Sequence, residues 1–149
     1  MTKPLAAIIN LNTNNILSIR RALEFIGFRT EIISENTNID KFDMIVLPGV
    51  GAFNCAMQRL EETSLIKFVN ESLNKEKYFM GICLGMQLLF SESPEFKKTK
   101  GLSFFPEKIE NFNKFNVNKK TSIGWNQVKF NKNFFIEDED FLNFNEKYF

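Results

Sequence analysis

What this chain lacks narrows its chemistry before any motif is considered. It has no histidine, which excludes Ser-His and Cys-His catalysis and histidine-ligated metal sites within the 149 residues given. Its two cysteines, Cys55 and Cys83, do not make a disulfide framework, so a reducing cytoplasm is the simplest setting. No apolar run approaches the roughly 20 residues of a membrane span. Met1-Thr2-Lys3-Pro4 leads straight into a strand-like run, and no signal peptide is expected. The net charge is +1 with both signs interspersed, which gives no case for nucleic acid or a membrane surface as partner. Neither G-x-G-x-x-G nor G-x-x-x-x-G-K-S/T occurs, so the common phosphate-binding loops are missing. No internal repeat is visible.

What is present reads as a single domain over residues 1–149, with 44% hydrophobic residues to build a core. Phenylalanine appears 18 times; with asparagine and lysine also plentiful, codon bias explains this as well as function would. Residues 5–9 are the continuous apolar run of a strand covered on both faces. After a polar turn at 10–15, Ile16, Ile19, Leu23 and Ile26 recur at helical spacing, and Gly27 supplies the stop. Strands are predicted at 30–34 and 44–47, the second broken at its carboxyl end by Pro48-Gly49-Val50-Gly51. Phe53, Met57 and Leu60 mark a second helix, holding Cys55 as a buried or half-buried structural thiol. Leu65, Phe68 and Leu73 mark a third, with Ser64 as its cap. Residues 78–82 read as a buried strand and 84–90 as a buried helix. This order implies an α/β fold, a mostly parallel open sheet with helices on both faces and ligands outside the carboxyl ends of its strands. Beyond Ser93-Pro94, short strands at 102–105, 108–112, 124–130 and 148–149 predict an antiparallel C-terminal extension, with a solvated hairpin or turn at 111–120.

One residue, Cys83, separates the predicted strand at 78–82 from the predicted helix at 84–90. Gly81 and Gly85 lie two residues to either side. So sharp a reversal crowds backbone against backbone, and glycine relieves the crowding. An intracellular cysteine is most often a small buried hydrophobe. Strand, paired glycines and immediate helix favour instead the thiol counterpart of a G-x-S-x-G nucleophile elbow. A helix starting just after the sulfur would aim unpaired N–H groups at it and support the thiolate, and the Leu84 N–H would face a developing oxyanion. Pro48-Gly49-Val50-Gly51 is by itself either a glycine turn into a helix or a second piece of the same site, since both turns fall at one sheet edge.

The wider string G-I-C-L-G-M-Q-L-L-F around Cys83 closely resembles the nucleophile motif of class I (triad-type) glutamine amidotransferases. The variant with Met-Gln is similar to that of the glutaminase subunits of imidazole glycerol phosphate synthases. L-P-G-V-G-A-F from Leu47 resembles the family's oxyanion strand, and S-I-R-R-A-L-E from Ser18 also matches. The resemblance implies a class I amidotransferase-like, flavodoxin-like fold with Cys83 as nucleophile. It implies backbone amides around Gly49, Val50 and Gly51, with Leu84, for the oxyanion, and Gly49, Gly51, Leu84 and Gln87 in contact with glutamine. Asn15, Trp125 and Asn126 would lie toward a (β/α)8 barrel cyclase subunit of imidazole glycerol phosphate synthase, although a single Trp more often anchors a core or interface. No cofactor and no metal are implied.

Three departures qualify the match. Asn10-Leu11-Asn12-Thr13-Asn14-Asn15 replaces a D-Y-G-x-G-N type turn, although asparagine can adopt the left-handed backbone that those glycines supply. Thr121-Ser122 stands where the family has Pro-His. The family's His-Pro-Glu segment has no counterpart, so the domain is expected to lack the C-terminal His/Glu portion and to be inactive alone. The activity implied is hydrolysis of glutamine, with ammonia passing to the cyclase in histidine biosynthesis. Beside it stand a paralogous subunit for surface-polysaccharide sugar amidation, toward which the altered turn and Thr121-Ser122 lean, and a non-catalytic remnant of the fold.

Overall fold

Successive side chains of a strand point to opposite faces, and β1 (Leu5–Ile9) uses both. In the computed structural model, which describes residues 2–12 and 15–115, Ala7 and Ile9 enter one core and Ala6 and Ile8 the other, all four sealed from solvent. β2 (Arg29–Ile33), β3 (Met44–Gly49) and β4 (Tyr78–Cys83) join β1 in a parallel sheet of order β2-β1-β3-β4. α2 (Phe53–Glu62) and α3 (Leu65–Asn74) cover one face through Phe53, Met57, Leu60, Leu65 and Phe68. α1 (Ile16–Phe25) covers the other through Leu23, with Ile16 and Ile19 beside it. The expected α/β architecture, with helices on both faces, is thus present. The chain divides into two units, Met1–Lys114 and Phe115–Phe149, and the strands and α-helices described lie in the first.

Phe42 and Phe68 meet edge to face in the larger core, ring centres 6.0 Å apart at 83°. Such a pair contributes about 0.5–1.5 kcal/mol beyond its buried area. Ser72, buried beside them in sequence, satisfies its hydroxyl by donating to the Phe68 carbonyl at 2.6 Å.

Helix ends follow local chemistry, with two corrections to expectation. At the end of α1, the Gly27 N–H donates to Glu24 O at 3.1 Å and the Phe28 N–H to Leu23 O at 3.0 Å. Gly27 has φ +101°, so this is a Schellman closure on the expected glycine. Ile26 is the C-cap rather than a core residue and is 66% exposed. Ser64 does not cap α3 with its hydroxyl. It adopts φ +56° and its N–H bonds Glu61 O, closing α2 instead. Thr63 and Ser64 alone link α2 to α3, and so short a connection is met by a left-handed residue.

Three further differences concern strands. β3 continues through Pro48 and Gly49, which pair with Ile82 and Cys83. Its ladder with β1 ends at Ile8↔Val46, so the proline sits past the reach of β1 and can be tolerated. β4, expected to be buried, is the edge of the described sheet and leaves Tyr78 81% and Met80 43% exposed. The helix expected over 84–90 is a single turn, α4 (Leu84–Gln87), after which the chain enters β5 (Phe90–Ser93). A short apolar run such as Leu88-Leu89-Phe90 suits either state.

β5 pairs antiparallel with β6 (Thr99–Lys100) and parallel with β7 (Phe105–Lys108), so the smaller sheet is mixed. β7 and a 3-10 turn at Phe112–Phe115 replace the strands expected at 102–105 and 108–112. Glu92 ties this sheet together, bridging Lys98 at 3.1 Å and Lys108 at 3.5 Å. Trp125, Asn126, the strands expected at 124–130 and 148–149, and the hairpin beyond residue 115 lie outside the described residues. No described helix is long and apolar enough to cross a membrane.

Candidate active site

A parallel sheet brings the carboxyl ends of all its strands to one edge. There β3 ends at Gly49 and β4 at Cys83, and the register sets these two residues opposite each other. From Gly49 the chain needs only Val50, Gly51 and Ala52 to reach α2; from Cys83 it passes directly into α4. The two turns are therefore neighbours by strand pairing alone.

Cys83 has φ +55° and ψ −117°, a backbone conformation that costs a non-glycine residue about 1–3 kcal/mol and persists only where its surroundings enforce it. The glycines enforce it. A Cβ on Gly81 would lie 2.7 Å from Met86 Cα and 2.9 Å from Met86 N. A Cβ on Gly85 would run into the Leu47 carbonyl oxygen, and one on Gly49 would lie 3.1 Å from both Gly85 N and Leu84 Cβ. α4 is thus pressed against the ends of β3 and β4, with the Gly81, Gly49 and Gly85 backbones left no room for a side chain. The thiol itself is exposed.

The other residues singled out by sequence are distributed as follows. Gly49 and Leu84 are buried against each other, Val50 is 47% exposed, and Gly51 is exposed with φ +106°. Gln87 is half-buried and lines a cavity of about 230 Å³ with Ser93, Glu95 and Phe112, among others; Cys83 is not in its walls. Asn15 is exposed at the N-cap of α1, without a capping side-chain bond. In the preceding turn Asn12 has φ +59°, and its N–H donates to Asn10 Oδ1 at 2.8 Å, so asparagine does supply left-handed backbone there.

Two expectations about the cysteines change. α4 has four residues, so the helix that follows Cys83 is a single turn with few aligned peptides, not the longer helix expected. Cys55 is exposed rather than structural, because Phe53, Ala56, Met57 and Leu60 form the inward stripe of α2. Sequence reading missed Glu95 altogether. Its Oε2 accepts the Phe53 N–H at 2.8 Å across 42 residues, a separation that no local pattern signals.

A family model for glutamine amidotransferase class-I matches residues 7–142. The chain belongs to the class I glutamine amidotransferases. Among curated amidotransferase relatives, it is 40% identical over 129 residues to imidazole glycerol phosphate synthase subunit HisH of Halalkalibacterium halodurans, covering 84% of this chain and 60% of that protein. It is 40% identical over 141 residues to subunit HisH 2 of Vibrio vulnificus, covering 90% and 66%. It is 42% identical over 124 residues to the HisH subunit of Bacillus anthracis, covering 83% and 58%. The chain spans about three-fifths of the length of the first of these relatives. Solved structures share the fold. A glutamine amidotransferase crystal structure aligns with TM-score 0.56 at 15% identity, over 66% of this chain and 51% of that one. PurLQS from Thermotoga maritima aligns with TM-score 0.51 at 23% identity, over 59% and 43%.

Proposed function

We propose that this class I amidotransferase chain carries the glutamine-hydrolysing site of an imidazole glycerol phosphate synthase, with Cys83 as nucleophile. The observation that carries the reading is the strained backbone of Cys83 at the end of β4, paired with Gly49 at the start of the glycine turn. The Cys83 sulfur attacks the side-chain carboxamide carbon of glutamine. The carbonyl oxygen becomes an oxyanion, which backbone N–H groups of the Gly49-Val50-Gly51 turn and Leu84 are suited to hold. The C–N bond breaks, ammonia departs with an added proton, and water cleaves the resulting glutamyl thioester to glutamate. Gln87 serves the bound glutamine. Ammonia passes to a (β/α)8 barrel cyclase partner that docks toward Asn15, Trp125 and Asn126.

The relatives named as HisH subunits support the pathway, and the glycine packing supports the chemistry. The proton transfers need an acid–base group, and the 149 residues contain no histidine to supply one. A general base contributes typically about 10²–10⁴-fold. The chain as given should therefore show no sustained ammonia release from glutamine.

Site chemistry can be tested without turnover. A glutamine analogue carrying a chloromethyl ketone in place of the carboxamide should alkylate Cys83 faster than Cys55, although both thiols are exposed. Free glutamine should protect Cys83 alone. Equal labelling of both cysteines, unaffected by glutamine, would overturn the reading. The asparagine-rich turn at 10–15 favours a second reading, ammonia supply to a sugar amidotransferase. Co-purification with a barrel cyclase supports the first, and with a sugar-modifying synthetase the second.

A further inference from the structure

The turn after β3 is held at both ends, and only the first hold was foreseeable. At Gly49 it is fixed by the ladder to Cys83. At its far end the N-cap position of α2 is Ala52, whose side chain cannot accept a hydrogen bond, and α2 has no acidic residue in its first turn. The missing cap comes from elsewhere, since Glu95 Oε2 takes the Phe53 N–H at 2.8 Å. Glu95 is itself anchored. Its N–H donates to Oγ of the buried Ser93 at 3.2 Å, its carbonyl accepts the Lys97 N–H at 2.6 Å, and Ser93 pairs with Thr99 across β5 and β6. The segment running from Cys83 through α4 and β5 thus returns to grip the helix that follows the glycine turn. Glu95 also lines the cavity beside Gln87.

We propose that Glu95 is a positioning residue. By accepting the Phe53 N–H, its carboxylate fixes the far end of the Gly49-Val50-Gly51-Ala52 turn relative to Cys83, so that the turn's N–H groups keep their aim at the reacting carbonyl. This rests on the glutamine site proposed above and adds a residue that holds the site in register. An acceptor oxygen is what the role requires, and a net charge is not. Glu95→Gln should therefore keep the clip, and Glu95→Ala should lose it.

Two measurements on the 149-residue chain test this separately. The first is amide hydrogen exchange over residues 50–57 by mass spectrometry; exchange should quicken in Glu95→Ala and remain near wild type in Glu95→Gln. The second is the rate of Cys83 alkylation by the glutamine chloromethyl ketone, divided by its rate with iodoacetamide. That ratio should fall about tenfold in Glu95→Ala, as expected for a displaced transition-state donor, and by less than about threefold in Glu95→Gln, which keeps a weaker neutral hydrogen bond. A general loss of packing would move both alkylation rates together and leave the ratio unchanged. Glu95→Ala matching wild type in exchange and ratio would overturn the proposal, as would Glu95→Gln falling as far as Glu95→Ala. If wild-type Cys83 shows no preference for the chloromethyl ketone, the glutamine reading fails instead, and the exchange comparison still decides whether Glu95 holds the turn.

Discussion

β1 and β4 belong to one parallel sheet and carry similar apolar side chains, yet they serve the protein in opposite ways. β1 has neighbours on both sides and helices on both faces, and Ala6, Ala7, Ile8 and Ile9 see no solvent. β4 has one neighbour in the described sheet, exposes Tyr78 and Met80, and ends in a residue with strained backbone. The difference shows how an unfavourable local geometry is kept. A conformation costing about 1–3 kcal/mol is placed where it can meet solvent, at the end of a strand whose inner neighbour is braced by the most deeply buried one.

The largest effect should come from breaking the brace. Ile8→Ala leaves a void between β1 and α1 and should cost about 2–5 kcal/mol in urea denaturation. A loss below about 1 kcal/mol would mean that β1 is not the centre of stability. Next comes the contact joining the two regions. In Gly85→Ala the new methyl meets the Leu47 carbonyl oxygen, and the overpacking should cost about 1–3 kcal/mol. Unlike Ile8→Ala, it should also slow Cys83 labelling by the glutamine analogue at temperatures where both variants remain folded. Equal labelling of the two would separate strand packing from the site. On β4 itself, Met80→Ala should change stability by less than about 1 kcal/mol, as a largely exposed position does. A cost equal to that of Ile8→Ala would erase the distinction between the strands.

The smallest effect lies outside both strands. Lys75 bridges Asp40 at 2.8 Å and Glu71 at 2.9 Å, and its hydrogen bond holds the Asp40 carboxyl below the ordinary carboxylate range. A depressed carboxyl stabilises the fold fully above its unfolded value of about 3.9 and loses that contribution as pH falls through the lower folded value. The pair is solvent-exposed, so the effect is small. Asp40→Asn should lose this small contribution at neutral pH and converge with the wild type in acid, so that the acid limb of a stability–pH profile is slightly flattened. An unchanged acid limb would show that the ion pair does not persist in solution.

Much of the frame could be read from residue order because hydrophobic periodicity is a local property. The continuous run at β1, the stripe Phe53, Met57, Leu60 and the stop at Gly27 all correspond to observed features. The errors arise where tertiary geometry decides. Apolar β4 reads like apolar β1, since composition does not say which strand has a single neighbour in the described sheet. Leu88-Leu89-Phe90 could extend a helix or enter a strand; Leu88 and Leu89 form the turn out of α4, and the strand starts only at Phe90, where pairing with Phe105 of β7 selects it. Ser64 has a capping side chain, but the two-residue link needs a left-handed residue more. Cys55 was readable, since its place off the stripe of α2 points it outward. At the site, the Gly81-Cys83-Gly85 pattern was legible because crowding leaves a mark in composition. The Glu95 clip was not, because a carboxylate that caps a helix 42 residues away looks like any surface acid.

The strand order β2-β1-β3-β4 also bears on how the chain takes shape during synthesis. β1 emerges first; β2 can dock on one of its edges, β3 on the other, and β4 on the open edge of β3. Each new strand finds a free edge, and none has to be wedged between two strands already paired. The order therefore sets no topological obstacle to adding the strands in the sequence in which they are made. The strand bearing Cys83 is the last of the four in the chain, and it adds to an edge that β3 leaves open.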